Sequence, residues 1–162
     1  MKKSEEIKKQ IEAMEVEVME MIKDRDYEEW GKDPKYREIS KKQRVLKNEM
    51  EYWKLREIKP YCNSCFYTDV EPYEVVRTVS EKCVEVRAMT AKQVEFPKQV
   101  HVGGFCAHVA DNRSGQKYEY ESNPEAPVER VRWSEANRQW QKGKYGRFSM
   151  SPAPYKFYDY NF

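Results

Sequence analysis

The chain has 162 residues, room for one ordinary domain or a small domain with an appendage. Thirty basic against 28 acidic residues leave a net charge of +2, which excludes the strong basic excess of a general duplex-DNA binder. No run approaches the length of a membrane span, and Met1-Lys-Lys-Ser-Glu-Glu6 lacks the apolar core of a signal peptide. No membrane partner is therefore expected, and the expected location is cytoplasmic.

Residues 1–60 read as two helices. Ile7, Ile11, Met14, Val18 and Met21 recur at alternating steps of four and three, a narrow heptad stripe that starts near Ser4-Glu5-Glu6 and breaks near Trp30-Gly31. Asp33-Pro34 then supplies an N-cap and a proline at the first helical position. A second stripe, Tyr36, Ile39, Gln43, Leu46, Met50 and Trp53, runs up to Pro60, which ends it. Glu5–Lys9 and Glu38–Lys42 sit one turn apart, pairs worth on the order of 0.3 kcal/mol each. The two helices make an αα-hairpin. Its stripes are too narrow and Met-rich to form a core alone, so it acts either as a solvated spacer or as an oligomerisation arm, and the second reading is preferred.

Residues 61–162 change to a period of two. Tyr73–Val79 and Lys82–Met89 alternate β-branched with polar residues across a turn at Ser80-Glu81, which places Val84, Val86 and Ala88 on one face and Glu85 and Arg87 on the other. Val94–Phe96 is a short strand stopped by Pro97. Tyr118 and Tyr120 share a face, as do Val131 and Trp133 with Arg130 and Arg132 opposite, and Trp140, Phe148 and Met150 continue the scheme. The 14% aromatic content, with four Trp and twelve Tyr, can fill a core around few aliphatics although 36% of the chain is charged. The fold class predicted is α+β: a helical hairpin over 1–60, then a small antiparallel β-barrel or strongly bent sheet over 61–162. The aromatic tail Tyr155–Phe162, extended after Pro152 and Pro154, is expected to fold back on the barrel or on a neighbouring subunit.

Three constellations invite chemistry. Cys62-Asn-Ser-Cys65 has zinc-knuckle spacing, and Cys83, Cys106 and His108 could complete a tetrahedral set, but the usual second Cys-x-x-Cys or His-x-x-x-His is missing and these candidates lie in separate strands. Reduced, half-buried thiols at the helix-to-sheet junction are the default, and no metal or cofactor is expected. His101 and His108 flank Gly103-Gly104, where backbone must turn tightly or approach something closely, and Asp111 follows. No nucleophile elbow or metal-binding helix accompanies them, so the chain is not expected to be an enzyme. Arg87, Arg130 and Arg132 lie on polar strand faces. They can grip a phosphate while Phe96 or Phe105 stacks on a base, or pair across strands with Glu85, Glu119 or Glu129; the pairing is the plainer reading.

The order Tyr67–Val76, Val84-Glu-Val-Arg-Ala-Met89, Gly103-Gly-Phe-Cys-Ala-His108, Gln116-Lys-Tyr-Glu-Tyr120 and Phe157-Tyr-Asp-Tyr-Asn-Phe162 resembles a family of small bacteriophage β-barrel proteins. That family is close to the first type of Thoeris anti-defence sponges, which sequester cyclic ADP-ribose signals without cleaving them. The resemblance implies a homo-oligomer, a dimer or higher, in the cytoplasm of an infected bacterium. It also implies a cyclic nucleotide, a cyclic ADP-ribose isomer or a cyclic oligonucleotide, held at subunit interfaces. By motif position Arg87, Met89, Phe96, Phe105, His108, Asn112, Arg130 and Arg132 would line the pocket. Cys106-Ala107 and Asp111-Asn-Arg113 depart from the usual pattern. The alternative is a phage interaction module that grips a host protein with the hairpin and aromatic tail.

Overall fold

In a computed structural model that describes residues 3–23, 25–102 and 108–161, the fold is α+β. It divides into two compact units, Met1–Leu55 and Arg56–Phe162.

The first unit holds α1 (Lys3–Ile22), a short α2 (Tyr27–Trp30) and α3 (Pro34–Arg56), most of which falls in this unit. The least exposed positions of α1 and α3 are those of the two predicted stripes, with Ile7, Ile11 and Ile39 buried and the other stripe residues half-buried. Glu15–Lys47 and Glu17–Lys35 ion pairs, 3.4 and 2.8 Å, tie the two long helices side by side. Asp33 caps α3 as the sequence requires, its carboxylate accepting the Lys35 N–H at 2.9 Å. The first helix does not run to Trp30. It stops at Ile22, and α2 restarts the chain with Trp30 edge-on to both Tyr27 and Tyr36. No described helix is long and apolar enough to cross a membrane.

The second unit is built on a closed six-stranded antiparallel barrel in the order β1-β10-β9-β8-β3-β2. Its strands are β1 (Tyr61–Cys65), β2 (Val70–Ser80), β3 (Cys83–Ala88), β8 (Val128–Ser134), β9 (Gln139–Lys142) and β10 (Gly146–Ser151). Two three-stranded meanders are thus zipped together by β3 against β8 and β1 against β10. Closure removes the open edges that a small sheet would otherwise present. Inward alternation puts Val84, Val86 and Val131 out of solvent entirely. Around them, Trp133 and Trp140 meet edge to face at 5.9 Å, and Tyr73 meets Phe148 at 5.2 Å. Large rings thus fill the interior that the few aliphatics cannot.

One barrel strand is not foreseen by the sequence pattern. Tyr61–Cys65 is β1 rather than a junction loop, and it is covered on both faces, with Cys62, Asn63 and Ser64 all buried. This placement also bears on the zinc spacing. On a strand, residues three apart point to opposite faces, so Cys62 enters the barrel while Cys65 faces out beside Arg147. Burial pushes the Cys62 thiol up to about 12, keeping it protonated. Cys62, Cys65 and Cys83 are free thiols, and the described residues hold no group of three or more metal-ligating side chains.

Between β3 and β8 the chain inserts two ribbons. In the first, β4 (Thr90–Glu95) pairs with β7 (Lys117–Glu121); in the second, β5 (Val100–His101) pairs with β6 (His108–Val109). The tail lies on the barrel. Phe157 exchanges both backbone hydrogen bonds with Val70, at 2.9 and 3.0 Å, and Asn63 Oδ1 accepts the Tyr155 N–H. Lys156 completes the seam with an ion pair to Glu71.

Candidate functional site

The predicted pocket residues fall into two groups within the chain. Arg87, Arg130 and Arg132 stand on the outer wall of the barrel, because β3 and β8 pair in the register Glu85↔Arg130 and Cys83↔Arg132. Phe96, His108 and Asn112 belong to the insertion, and Phe105, with Gly103, Gly104 and Cys106, lies outside the described residues. Met89, half-buried at the root of the insertion, donates its backbone N–H to the Pro72 carbonyl.

On the wall, two of the three guanidinium groups are already occupied. Arg87 binds Glu74 at 2.8 Å and also reaches the Pro124 carbonyl, while Ser122 donates to the same Glu74 carboxylate at 2.6 Å. The Ser122 hydroxyl and the Arg87 guanidinium together hold the Glu74 carboxyl below its usual range. Arg130 binds Glu85 at 2.6 Å, and Arg77 reaches the same carboxylate from β2 at 2.9 Å. This triad carries one net positive charge. Arg132, exposed and one outward position further along β8, has no ion pair among the described residues.

The Glu85 triad makes a pH prediction. Arg77 first, and Arg130 second, pull the Glu85 carboxyl down to about 2. An unfolded glutamate titrates near ~4.3. Folding is therefore favoured above about 4.3, and that contribution fades as pH falls toward 2. Melting temperature should drop through this window, and the drop should be shallower in Glu85→Gln. Parallel acid profiles for the two proteins would rule the triad out as a contributor.

In the insertion, the amides work as structural clasps. Asn112 donates to Asp159 Oδ1 at 2.6 Å and accepts the Tyr160 N–H at 3.2 Å. Gln116 matches the backbone of Tyr158, donating to its carbonyl at 2.6 Å and accepting its N–H at 3.1 Å. Asn161 does the same for Val109, at 2.8 and 3.3 Å. The Tyr-Asp-Tyr-Asn run of the tail is thus read by side-chain amides that imitate a neighbouring strand. Asn112 thus holds the tail in this chain. Asp111 is engaged as well, its two carboxylate oxygens accepting the Lys98 and Gln99 N–H groups at 2.9 Å each. Those backbone bonds, that from Lys98 foremost, hold its carboxyl below the usual range. Gly115 closes the turn; a Cβ there would lie 2.7 Å from the Pro97 Cα.

His101 and His108 stand directly opposite each other on β5 and β6, both exposed. Phe96, at the end of β4, is also exposed. A further group escapes the sequence reading altogether. The β1–β2 turn carries Phe66 and Tyr67, and the β9–β10 turn carries Lys144 and Tyr145; all three rings lie in solvent. The interleaving of cations, glycines and an aromatic in Lys142-Gly-Lys-Tyr-Gly-Arg147 is the signal that could have found the second turn. No family model, curated protein or solved structure matches this chain.

Proposed function

We propose that the protein is a binding module, not an enzyme, that sequesters a cyclic nucleotide signal in the cytoplasm of a phage-infected bacterium. The observation that supports this reading best is the outer wall of β3 and β8, which carries Arg87, Arg130 and Arg132, the last with no acidic partner among the described residues. An unpaired guanidinium on a strand can take a phosphate through two parallel N–H donors. The resemblance puts the pocket at subunit interfaces, where a second copy of the chain adds residues to it. A homo-oligomer is therefore part of the proposal, with the helical hairpin as its arm.

The test is titration calorimetry and native mass with cyclic ADP-ribose isomers and cyclic trinucleotides. One of them should bind and be recovered chemically unchanged, and Arg132→Ala should weaken it at least tenfold. Silence across the panel, with a host protein co-purifying instead, favours the second reading, an interaction module. The observation behind that alternative is on α1, where Val16 and Met19 lie exposed among Glu12, Glu15 and Glu20.

A further inference from the structure

The two turns at one end of the barrel belong to neighbouring strands. β1 pairs with β10 as far as Cys65↔Arg147, so the β1–β2 turn leaves β1 at the same end where the β9–β10 turn enters β10. The first turn is closed by the Phe66 N–H donating to the Asp69 carbonyl at 2.9 Å. Tyr67 at its apex is 98% exposed, Tyr145 is 81% exposed and Phe66 58%. Two neighbouring turns at one barrel end thus leave three large rings in water. Such a cluster marks an interaction site.

Charge says what it fits. Lys144 Nζ stands 5.1 Å from the Tyr145 ring centre, and Arg147 follows on β10, exposed and with no carboxylate partner among the described residues. Two acids of this barrel end are held in ion pairs and a third in a backbone hydrogen bond. Glu71 pairs with Lys156, Glu129 with Lys142 at 2.8 Å, and Asp69 accepts the Asp159 N–H at 2.9 Å. Beside the exposed rings stand Lys144 and Arg147, two cations with no carboxylate partner among the described residues. The core of a protein–protein contact is instead depleted of charge.

We infer that the Phe66-Tyr67 and Lys144–Arg147 turns form a ledge for single-stranded nucleic acid. Bases stack on Tyr67 and Tyr145, and Lys144 and Arg147 meet the phosphates. Every base has a face that can stack on a ring, so the ledge is tolerant of sequence. A duplex hides its base faces, and the chain's net charge of +2 gives it little hold on a duplex backbone. The ledge uses none of the wall arginines of the proposed cyclic-nucleotide site, so either proposal stands or falls without the other.

Fluorescence anisotropy of labelled ten-residue oligouridine and oligothymidine decides it, with the two arms separating RNA from DNA as the source. Both strands, or one of them, should bind at 50 mM salt. Two phosphate contacts predict a loss of roughly fivefold to tenfold on moving to 200 mM. The double change Tyr67→Ala, Tyr145→Ala should weaken binding at least tenfold and leave the salt slope alone. Arg147→Ala should reduce that slope, and Arg44→Ala on α3 should change nothing. No binding at 50 mM salt would overturn the inference, as would equal binding of a duplex of the same length or full binding by the double-tyrosine variant. The turn positions lie outside the core, so unchanged circular dichroism of each variant keeps these outcomes readable.

Discussion

Trp140→Ala should be the most damaging single substitution in the barrel. Its side chain is 1% exposed and lies against Trp133 at the junction of β8 and β9. Truncating a fully buried tryptophan costs about 3–5 kcal/mol, from lost transfer energy and the cavity left behind. A domain of this size has a total stability of about 5–15 kcal/mol, so the variant forfeits a large share of it. The midpoint of thermal unfolding, followed by near-ultraviolet circular dichroism, should fall by about 15 °C or more. Trp140→Phe, which keeps a ring against Trp133, should lose less than half as much. Equal losses in the two variants would show that ring volume at this position is not what holds the barrel.

Phe157→Ala should have the second largest effect, and a different kind of effect. The ring is buried, the Arg113 guanidinium lies 5.2 Å from its centre, and the backbone at that residue is bridged to Val70. Removing the ring costs about 3 kcal/mol or more, with a smaller loss from the cation–π contact. The cost is paid locally. The clasp of Asn112, Gln116 and Asn161 on the tail has few apolar contacts of its own, so it should open in short-lived local unfolding while the barrel stays shut. Hydrogen exchange checks this directly. Amides of Val70, Tyr158, Asp159 and Tyr160 should lose protection, whereas those of Val84, Val86 and Val131 should keep it. Uniform loss across both sets would mean that the tail and the barrel open as one unit.

How much of this was visible in the sequence follows from where periodicity survives. The stripes of α1 and α3 and the alternation of Val84, Val86, Val131 and Trp133 are unbroken, and each marks a face that is buried in the structure. Strand β1 was hidden because both of its faces are covered, so Cys62, Asn63 and Ser64 show no alternation to find. The end of α1 at Ile22 was hidden because Trp30 sits in a later turn of helix that packs on Tyr36. The site was less legible than the fold. Arg87 and Arg130 were identifiable as outward cations, but the carboxylates that occupy them come from Glu74, thirteen residues away, and Glu85, forty-five residues away. Only the register of three strands brings these together. Nothing local announces that Asp159 and Tyr160, nearly fifty residues on, bond the Asn112 amide.

The seam between β1 and β10 has a consequence for biosynthesis. Cys62 faces Met150, so the cylinder cannot shut until the chain has emerged from the ribosome through β10, some ninety residues after β1. Until then the β2–β3 hairpin waits with its valine edge unsatisfied, which makes slow, late completion the expected course for a topology joined by distant segments.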